Sequence, residues 1–120
     1  MKNKFHEAVY AEGMLKNMKS RRITAAEAYK IMKNNPKAII LDVRSGREYA
    51  DVRIPGAINL PENQVRSRAK QVLPDDGVLI LVYCLGGSRS RIATETLTEM
   101  GYNNVCDFGG INSWTYEVEY

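Results

Sequence analysis

The chain has 120 residues, of which 44% are hydrophobic and 26% are charged, and its formal net charge is +3. This size and balance indicate one globular domain, and the basic cluster Lys19-Ser20-Arg21-Arg22 has no interleaved aromatic residues, which argues against nucleic acid as a partner. Two cysteines and one histidine are too few for a disulfide scaffold or a zinc site, so we expect a reducing compartment and no metal or cofactor.

Residues 5–18 carry apolar side chains at helical spacing, with lysines and glutamates between them. This pattern predicts an amphipathic helix that packs back on the domain, with a dimerisation or partner-binding helix as the alternative. We therefore predict an extension at residues 1–22 and one main domain at residues 23–120. The basic start lacks the apolar stretch of a signal peptide, and no segment reaches the length of a membrane span, so we expect a cytoplasmic protein.

Helix and strand patterns alternate through the rest of the chain. Thr24, with Glu27 three residues on, has the spacing of a capping box and predicts a helix that runs to about Lys33. Apolar runs at residues 38–41 and 78–82 are typical of strands buried on both faces. The remaining predicted elements are a helix at 45–50, a turn at 54–60 that leads into a short strand, helices at 64–72 and 90–100, and a strand at 104–107.

This alternation predicts an α/β domain with a mainly parallel sheet and helices on both faces. In such sheets ligands bind at the carboxyl ends of the strands. The segment Cys84-Leu85-Gly86-Gly87-Ser88-Arg89 directly follows the second apolar strand. We therefore predict that this loop forms the functional site.

Cys84 is the candidate nucleophile, because it stands between a buried strand and the start of a helix. The unpaired amides and the dipole of a helix N-terminus favour an anion. Gly86 and Gly87 permit positive φ angles that turn amides toward the sulfur, and Arg89 adds a charged fork of donors. Together these features favour thiolate over thiol, so no separate general base is needed. Taken singly, they are also compatible with an inert cysteine, an ordinary turn and a solvated arginine.

The loop resembles the active loop of the rhodanese family, Cys-x-x-Gly-x-Arg, which Cys84, Gly87 and Arg89 match. Three further stretches are similar to that family in the same order. They are Leu41-Asp42-Val43-Arg44 with Glu48-Tyr49, then Ile54-Pro55-Gly56-Ala57-Ile58-Asn59, and finally Gly101-Tyr102-Asn103-Asn104-Val105 with Gly109-Gly110 and Trp114. The resemblance implies a rhodanese-like fold with a sheet of about five strands.

The resemblance also implies roles for individual residues. Cys84 would carry sulfur as a persulfide, and the Arg89 side chain would act with it on the bound anion. The substrate would be held by the amides of Leu85, Gly86, Gly87, Ser88, Arg89 and Ser90. Asp42 and Arg44 would support the site, most simply as a salt bridge that fastens a strand end. Arg53 stands where the family usually has histidine, so no role is transferred to that position.

The predicted function is a sulfurtransferase that moves sulfur from a small anionic donor such as thiosulfate to cyanide or a thiol, with a sulfur-relay protein as a further candidate partner. A phosphatase or arsenate reductase is the first alternative, although their loops usually place one residue more between cysteine and arginine than the four found here. A binding module without turnover is the second alternative. Cys106 is interpreted as a buried cysteine on the last strand, with a resolving thiol for Cys84 as its alternative.

Overall fold

The computed structural model describes residues 21–120, so the helix predicted at residues 5–18 lies outside the described residues. Helices and strands alternate as the sequence predicts. The described residues also contain two short 3-10 turns, Glu62–Gln64 and Ile111–Ser113. The main elements are α1 (Ala25–Asn34), β1 (Ile39–Asp42), α2 (Gly46–Asp51), β2 (Ile58–Asn59), α3 (Val65–Val72), β3 (Ile80–Cys84), α4 (Ser88–Glu99) and β4 (Val105–Gly110).

Side-chain caps set the starts of α1 and α2. At α1 the Glu27 amide donates to Thr24 Oγ1 over 3.0 Å, while the Thr24 amide donates to Glu27 Oε1 over 2.8 Å. The same reciprocal pair joins Ser45 and Glu48 at the start of α2. Both helices therefore begin where the sequence predicts, because each capping box satisfies amides that the first helical turn leaves unpaired.

The four strands form one parallel sheet in the order β2-β1-β3-β4. The predicted sheet had about five strands, and within residues 21–120 the fifth position is occupied only by a single parallel bridge between Arg22 and Asp107. The Ile23 amide donates to the Asp107 carbonyl over 2.8 Å. Toward α1 the pairing extends no further, because Thr24 already caps that helix and the chain turns away from the sheet.

Helices cover both faces of the sheet, as predicted. Side chains of α3 and α4, including Val65 and Leu97, pack with Val82 on one face. On the opposite face, Ala28 of α1 belongs to the cluster that contains Leu81. All five residues of β3 are therefore buried, and its last residue, Cys84, lies at the carboxyl end of the sheet.

An irregularity between β3 and β4 shapes this end of the sheet. Val82 pairs with Asp107 but Cys84 pairs with Gly110, so β4 contains one residue more than β3 over this interval. Gly109, within that interval, has φ +90°. A Cβ atom on Gly110 would stand 1.9 Å from the Leu85 carbonyl oxygen, so only glycine lets the loop after β3 cross β4 here. Bulges of this kind bend a strand and re-aim its side chains.

Candidate active site

Cys84 lies at the bottom of the loop that joins β3 to α4, and only 1% of its surface is exposed. The amides of Gly87 and Ser90 both donate to its Sγ atom, over 3.1 and 3.2 Å. The thiol also lies 3.5 Å from Ser90 Oγ, to which it can donate. Two amides at the start of one helix therefore converge on one sulfur atom, an arrangement that suits a sulfur with negative charge.

Gly87 supplies the turn that aims these amides. It is the N-terminal cap of α4 and has φ +116°, a conformation that residues with a Cβ atom rarely adopt. The expectation that Gly86 shares this conformation was wrong, since Gly86 is not among the residues of 21–120 with positive φ. The helix also begins at Ser88, two residues earlier than predicted, because the single turn at Gly87 suffices to enter it.

Arg89 does not extend freely over the loop but forms a fork with Glu48 of α2. Its two terminal nitrogens donate to the two carboxylate oxygens over 2.8 and 3.1 Å. The sequence indicated a charged fork at this position but not its partner. The pair ties the start of α4 to α2 beside the site, and it leaves the Nε–H and the second hydrogen of each terminal nitrogen for other acceptors.

The charges of this pair stabilise each other. The hydrogen bonds from Arg89 hold the pKa of Glu48 at about 2, well below its ordinary value of 4.5. In return, the Glu48 carboxylate raises the pKa of Arg89, and negative charge on Cys84 adds to the effect. Arg89 is thus a permanent cation within electrostatic reach of the sulfur.

Asp42 and Arg44 form a buried ion pair beneath the site. Arg44 Nη2 lies 2.7 Å from Asp42 Oδ2, and the two side chains are 0% and 2% exposed. The Tyr83 hydroxyl donates to the same Asp42 oxygen over 2.6 Å. Burial, followed by this hydrogen bond, raises the pKa of Tyr83 above its ordinary value, so the phenol remains a neutral donor. The geometry matches the salt bridge expected at this strand end.

Arg53, at the position where the family usually has histidine, contacts the C-terminal segment of the chain. Its Nε donates to Glu119 Oε1 over 3.1 Å, and the backbones of the two residues pair in an antiparallel bridge. A terminal nitrogen also donates to the Tyr49 carbonyl over 3.2 Å. These contacts attach the C-terminal segment to the end of α2.

Cys106 is buried on the face of the sheet opposite to Cys84. Cys84 packs in the cluster covered by α3 and α4, whereas Cys106 packs in the cluster covered by α1. Burial raises the pKa of Cys106 to about 11, which keeps its thiol neutral. This placement agrees with a buried strand cysteine and separates it from Cys84 by the sheet.

Sequence reasoning missed two residues next to the loop. Asp107 of β4 is buried and accepts a hydrogen bond from Ser90 Oγ over 2.7 Å. Arg22 donates to Asp107 Oδ2 and to the Gly87 carbonyl. A carboxylate within a short strand that is otherwise apolar was the available signal, because a buried charge requires partners.

Residues 21–120 contain no cluster of three or more histidine, cysteine or carboxylate side chains that could hold a metal ion. Within the same range, no helix has the length and apolar character needed to cross a membrane.

Comparison with known proteins identifies a matching family, a similar protein and a similar solved structure. The Rhodanese-like domain family matches residues 24–117. The chain is 39% identical over 71 residues to thiosulfate sulfurtransferase PspE of Escherichia coli. The aligned residues are 59% of this chain and 68% of that protein. A solved structure described as rhodanese with anions from E. coli aligns with a TM-score of 0.64 and 34% identity, over 68% of this chain and 96% of the other.

A second group of relatives is longer. Adenylyltransferase and sulfurtransferase UBA4 of Candida albicans is 32% identical over 105 residues, which are 82% of this chain but 24% of that protein. The chain thus spans about a quarter of UBA4. Since the family match covers residues 24–117, from the cap of α1 to beyond β4, this chain belongs to the rhodanese-like domain family.

Proposed function

We propose that the protein is a sulfurtransferase that takes sulfur from thiosulfate, carries it as a persulfide on Cys84 and delivers it to cyanide or a thiol. The observation that carries this proposal is the convergence of the Gly87 and Ser90 amides on Cys84 Sγ, over 3.1 and 3.2 Å. Membership of the rhodanese-like family supports sulfur transfer as the reaction class. The name of the relative PspE supports thiosulfate as the donor.

The reaction has two balanced steps. In the first, the Cys84 thiolate attacks the outer sulfur of thiosulfate, the sulfur–sulfur bond of thiosulfate breaks, and its electron pair leaves with sulfite. The negative charge moves from Sγ to the newly attached sulfur. In the second step cyanide attacks that outer sulfur, thiocyanate leaves, and the thiolate is regenerated. Neither step needs a general base once the thiolate is present.

We propose that the other donor groups of the loop bind the transferred sulfur and the sulfur donor. Gly87 and Ser90 already donate to Sγ, so the amides of Leu85, Gly86, Ser88 and Arg89 are the candidates to receive the outer sulfur. We propose that the remaining N–H groups of Arg89 donate to the negative charge that develops on the donor. Asp42 and Arg44 act only through the support they give to the end of β1. Backbone amides are suited to this task, because they need no reorganisation during the reaction.

The proposed function also suggests partners, a cellular location and a division of the chain. The sulfurtransferase in the name of the relative UBA4 supports sulfur transfer, and we propose a protein of a sulfur relay as one physiological donor or acceptor. We propose the cytoplasm as the location, since both cysteines are free thiols. We also propose that residues 23–120 form the catalytic domain and that residues 1–22 are an extension to it.

The competing reading is a cysteine-dependent phosphatase, and substrate turnover separates the two. Four residues between Cys84 and Arg89 make a narrow loop that suits one terminal sulfur better than a tetrahedral phosphate. We expect thiosulfate and cyanide to yield thiocyanate, and an aryl phosphate to be hydrolysed no faster than by a Cys84→Ser variant. Phosphatase activity that disappears in Cys84→Ser, without thiocyanate formation by the unmodified protein, would replace this proposal by its competitor.

The Arg89→Ala variant should turn over thiosulfate more slowly, because it loses one donor to developing charge. We expect the loss of transition-state stabilisation to be about 2–4 kcal/mol. The matched control is Arg91→Ala, because Arg91 lies on the same helix and pairs with Glu95 in an exposed i,i+4 ion pair. That control should keep the activity of the unmodified protein. Steady-state thiocyanate formation measures both variants, and equal activities in folded Arg89→Ala and Arg91→Ala would show that Arg89 only fastens the loop.

A further inference from the structure

Asp107 is a buried carboxylate that the two-step reaction does not use. Its Oδ2 atom accepts hydrogen bonds from Arg22 Nε over 3.1 Å and from Arg22 Nη2 over 2.8 Å. Its Oδ1 atom accepts from the Gly109 amide over 2.8 Å and from Ser90 Oγ over 2.7 Å. The carboxylate is therefore fixed on both sides, and one of its oxygens lies next to the hydroxyl that approaches Cys84.

Ser90 has a single hydroxyl hydrogen and several acceptors within reach. Its Oγ atom lies 2.7 Å from Asp107 Oδ1, 3.1 Å from the Gly87 carbonyl and 3.2 Å from the Gly109 carbonyl. Cys84 Sγ lies farther away, at 3.5 Å. The shortest of these contacts is also the one to a charged acceptor, and charge-assisted hydrogen bonds are the stronger ones. The hydrogen is therefore committed to Asp107, and Oγ presents a lone pair to the sulfur.

We propose that Asp107 is a positioning residue that holds the Ser90 hydroxyl hydrogen away from Cys84 and so keeps the thiolate reactive. This inference rests on the proposed function. A thiolate that faces an oxygen lone pair gains nothing from that neighbour. When Sγ attacks a sulfur donor, its negative charge moves to the outer sulfur, and the unfavourable contact with the lone pair is relieved. No hydrogen bond from Ser90 Oγ to Sγ is lost as the new bond forms.

Arg22 makes the arrangement possible. It is half exposed, and its Nη2 donates both to Asp107 and to the Gly87 carbonyl, the latter over 2.6 Å. The guanidinium thus compensates the buried carboxylate and at the same time holds the turn that aims the amides. Without a neighbouring cation, the buried Asp107 carboxylate would be unpaired and costly in free energy.

Asp107→Asn tests the proposal, because it removes the charge while it keeps an oxygen for the Gly109 amide. The thiolate then becomes the strongest acceptor near Ser90, and the hydroxyl turns to it. We expect loading from saturating thiosulfate, measured in a single turnover, to slow about ten- to a hundredfold, the effect of one hydrogen bond to a charged group. Adding Ser90→Ala to Asp107→Asn removes that hydroxyl and should restore most of the lost rate.

The restoration distinguishes positioning from a merely structural role, since a second change in a damaged loop would slow loading further. The proposal would be overturned if Asp107→Asn loaded sulfur as fast as the unmodified protein. It would also be overturned if the double variant loaded sulfur no faster than Asp107→Asn. Asp107→Ser, whose hydroxyl can still accept from Gly109, carries the same expectations if the Asn variant does not fold.

Alkylation of Cys84 by iodoacetamide, at a pH where the thiol is ionised, keeps the test separate from the choice of substrate. Asp107→Asn should slow alkylation, and adding Ser90→Ala should reverse the slowing, even if the unmodified protein does not accept sulfur from thiosulfate. Absence of thiosulfate loading in the unmodified protein counts against the proposed function alone. Equal alkylation rates in the unmodified protein and Asp107→Asn count against the positioning role alone.

Discussion

Replacing Cys84 by alanine should lower thiocyanate formation from thiosulfate and cyanide by at least about a thousandfold, as removal of a covalent nucleophile does in other enzymes. The expectation follows from the site, where two amides converge on the Cys84 sulfur and no second thiol lies on that face of the sheet within the described chain. Folding should be preserved, because a small residue can occupy the end of β3.

Cys106→Ala is the matched control for this variant. Cys106 is the other buried cysteine, it lies on the opposite face of the sheet, and its thiol stays neutral because burial raises its pKa to about 11. We expect this variant to keep the turnover of the unmodified protein. Turnover that is retained in Cys84→Ala, or lost only in Cys106→Ala, would contradict the assignment of Cys84 as the nucleophile.

The largest effect on stability should come from Arg44→Met. Arg44 is the cationic partner of Asp42, and both side chains are buried beneath the active loop. Removing it leaves an uncompensated carboxylate in the core, which costs about 3–5 kcal/mol. Urea denaturation measures the loss as a fall in the free energy of unfolding. The Tyr83 hydroxyl still donates to Asp42, but a neutral donor does not replace the charge.

Arg66→Met provides the comparison at the surface. Arg66 and Glu99 form a contact of 2.7 Å, as short as the buried pair, but their side chains are 65% and 66% exposed. Water already solvates both charges there, so the loss should be only about 0–1 kcal/mol. Equal losses in Arg44→Met and Arg66→Met would show that burial of the pair beneath the loop has no energetic importance.

Local structure was predictable because local patterns determine it. β1 and β3 appear in the sequence as short apolar runs, since central parallel strands are buried on both faces. Capping boxes at Thr24 and Ser45 define the starts of α1 and α2. The loop after β3 was recognisable because its cysteine, glycine and arginine follow one another within six residues.

Contacts between distant residues were not predictable in the same way. Arg89 pairs with Glu48, which lies 41 positions earlier, and Asp107 approaches Ser90 only because β4 bulges beside β3. These contacts depend on the order of the strands and on one irregular pairing, neither of which leaves a local pattern. Within residues 21–120 the fifth strand is limited to one bridge for a similar reason, since the cap at Thr24 ends the pairing with β4 on the side toward α1.

Mass spectrometry of the intact protein tests the central claim most directly, because it detects the persulfide itself. After exposure to thiosulfate, the unmodified protein should gain the mass of one sulfur atom, and cyanide should remove it. Cys106→Ala should gain the same mass and Cys84→Ala should gain none, with peptide analysis placing the sulfur on Cys84. A sulfur atom found on Cys106, or no added mass in a folded protein, would contradict the assignment of Cys84 as the sulfur carrier.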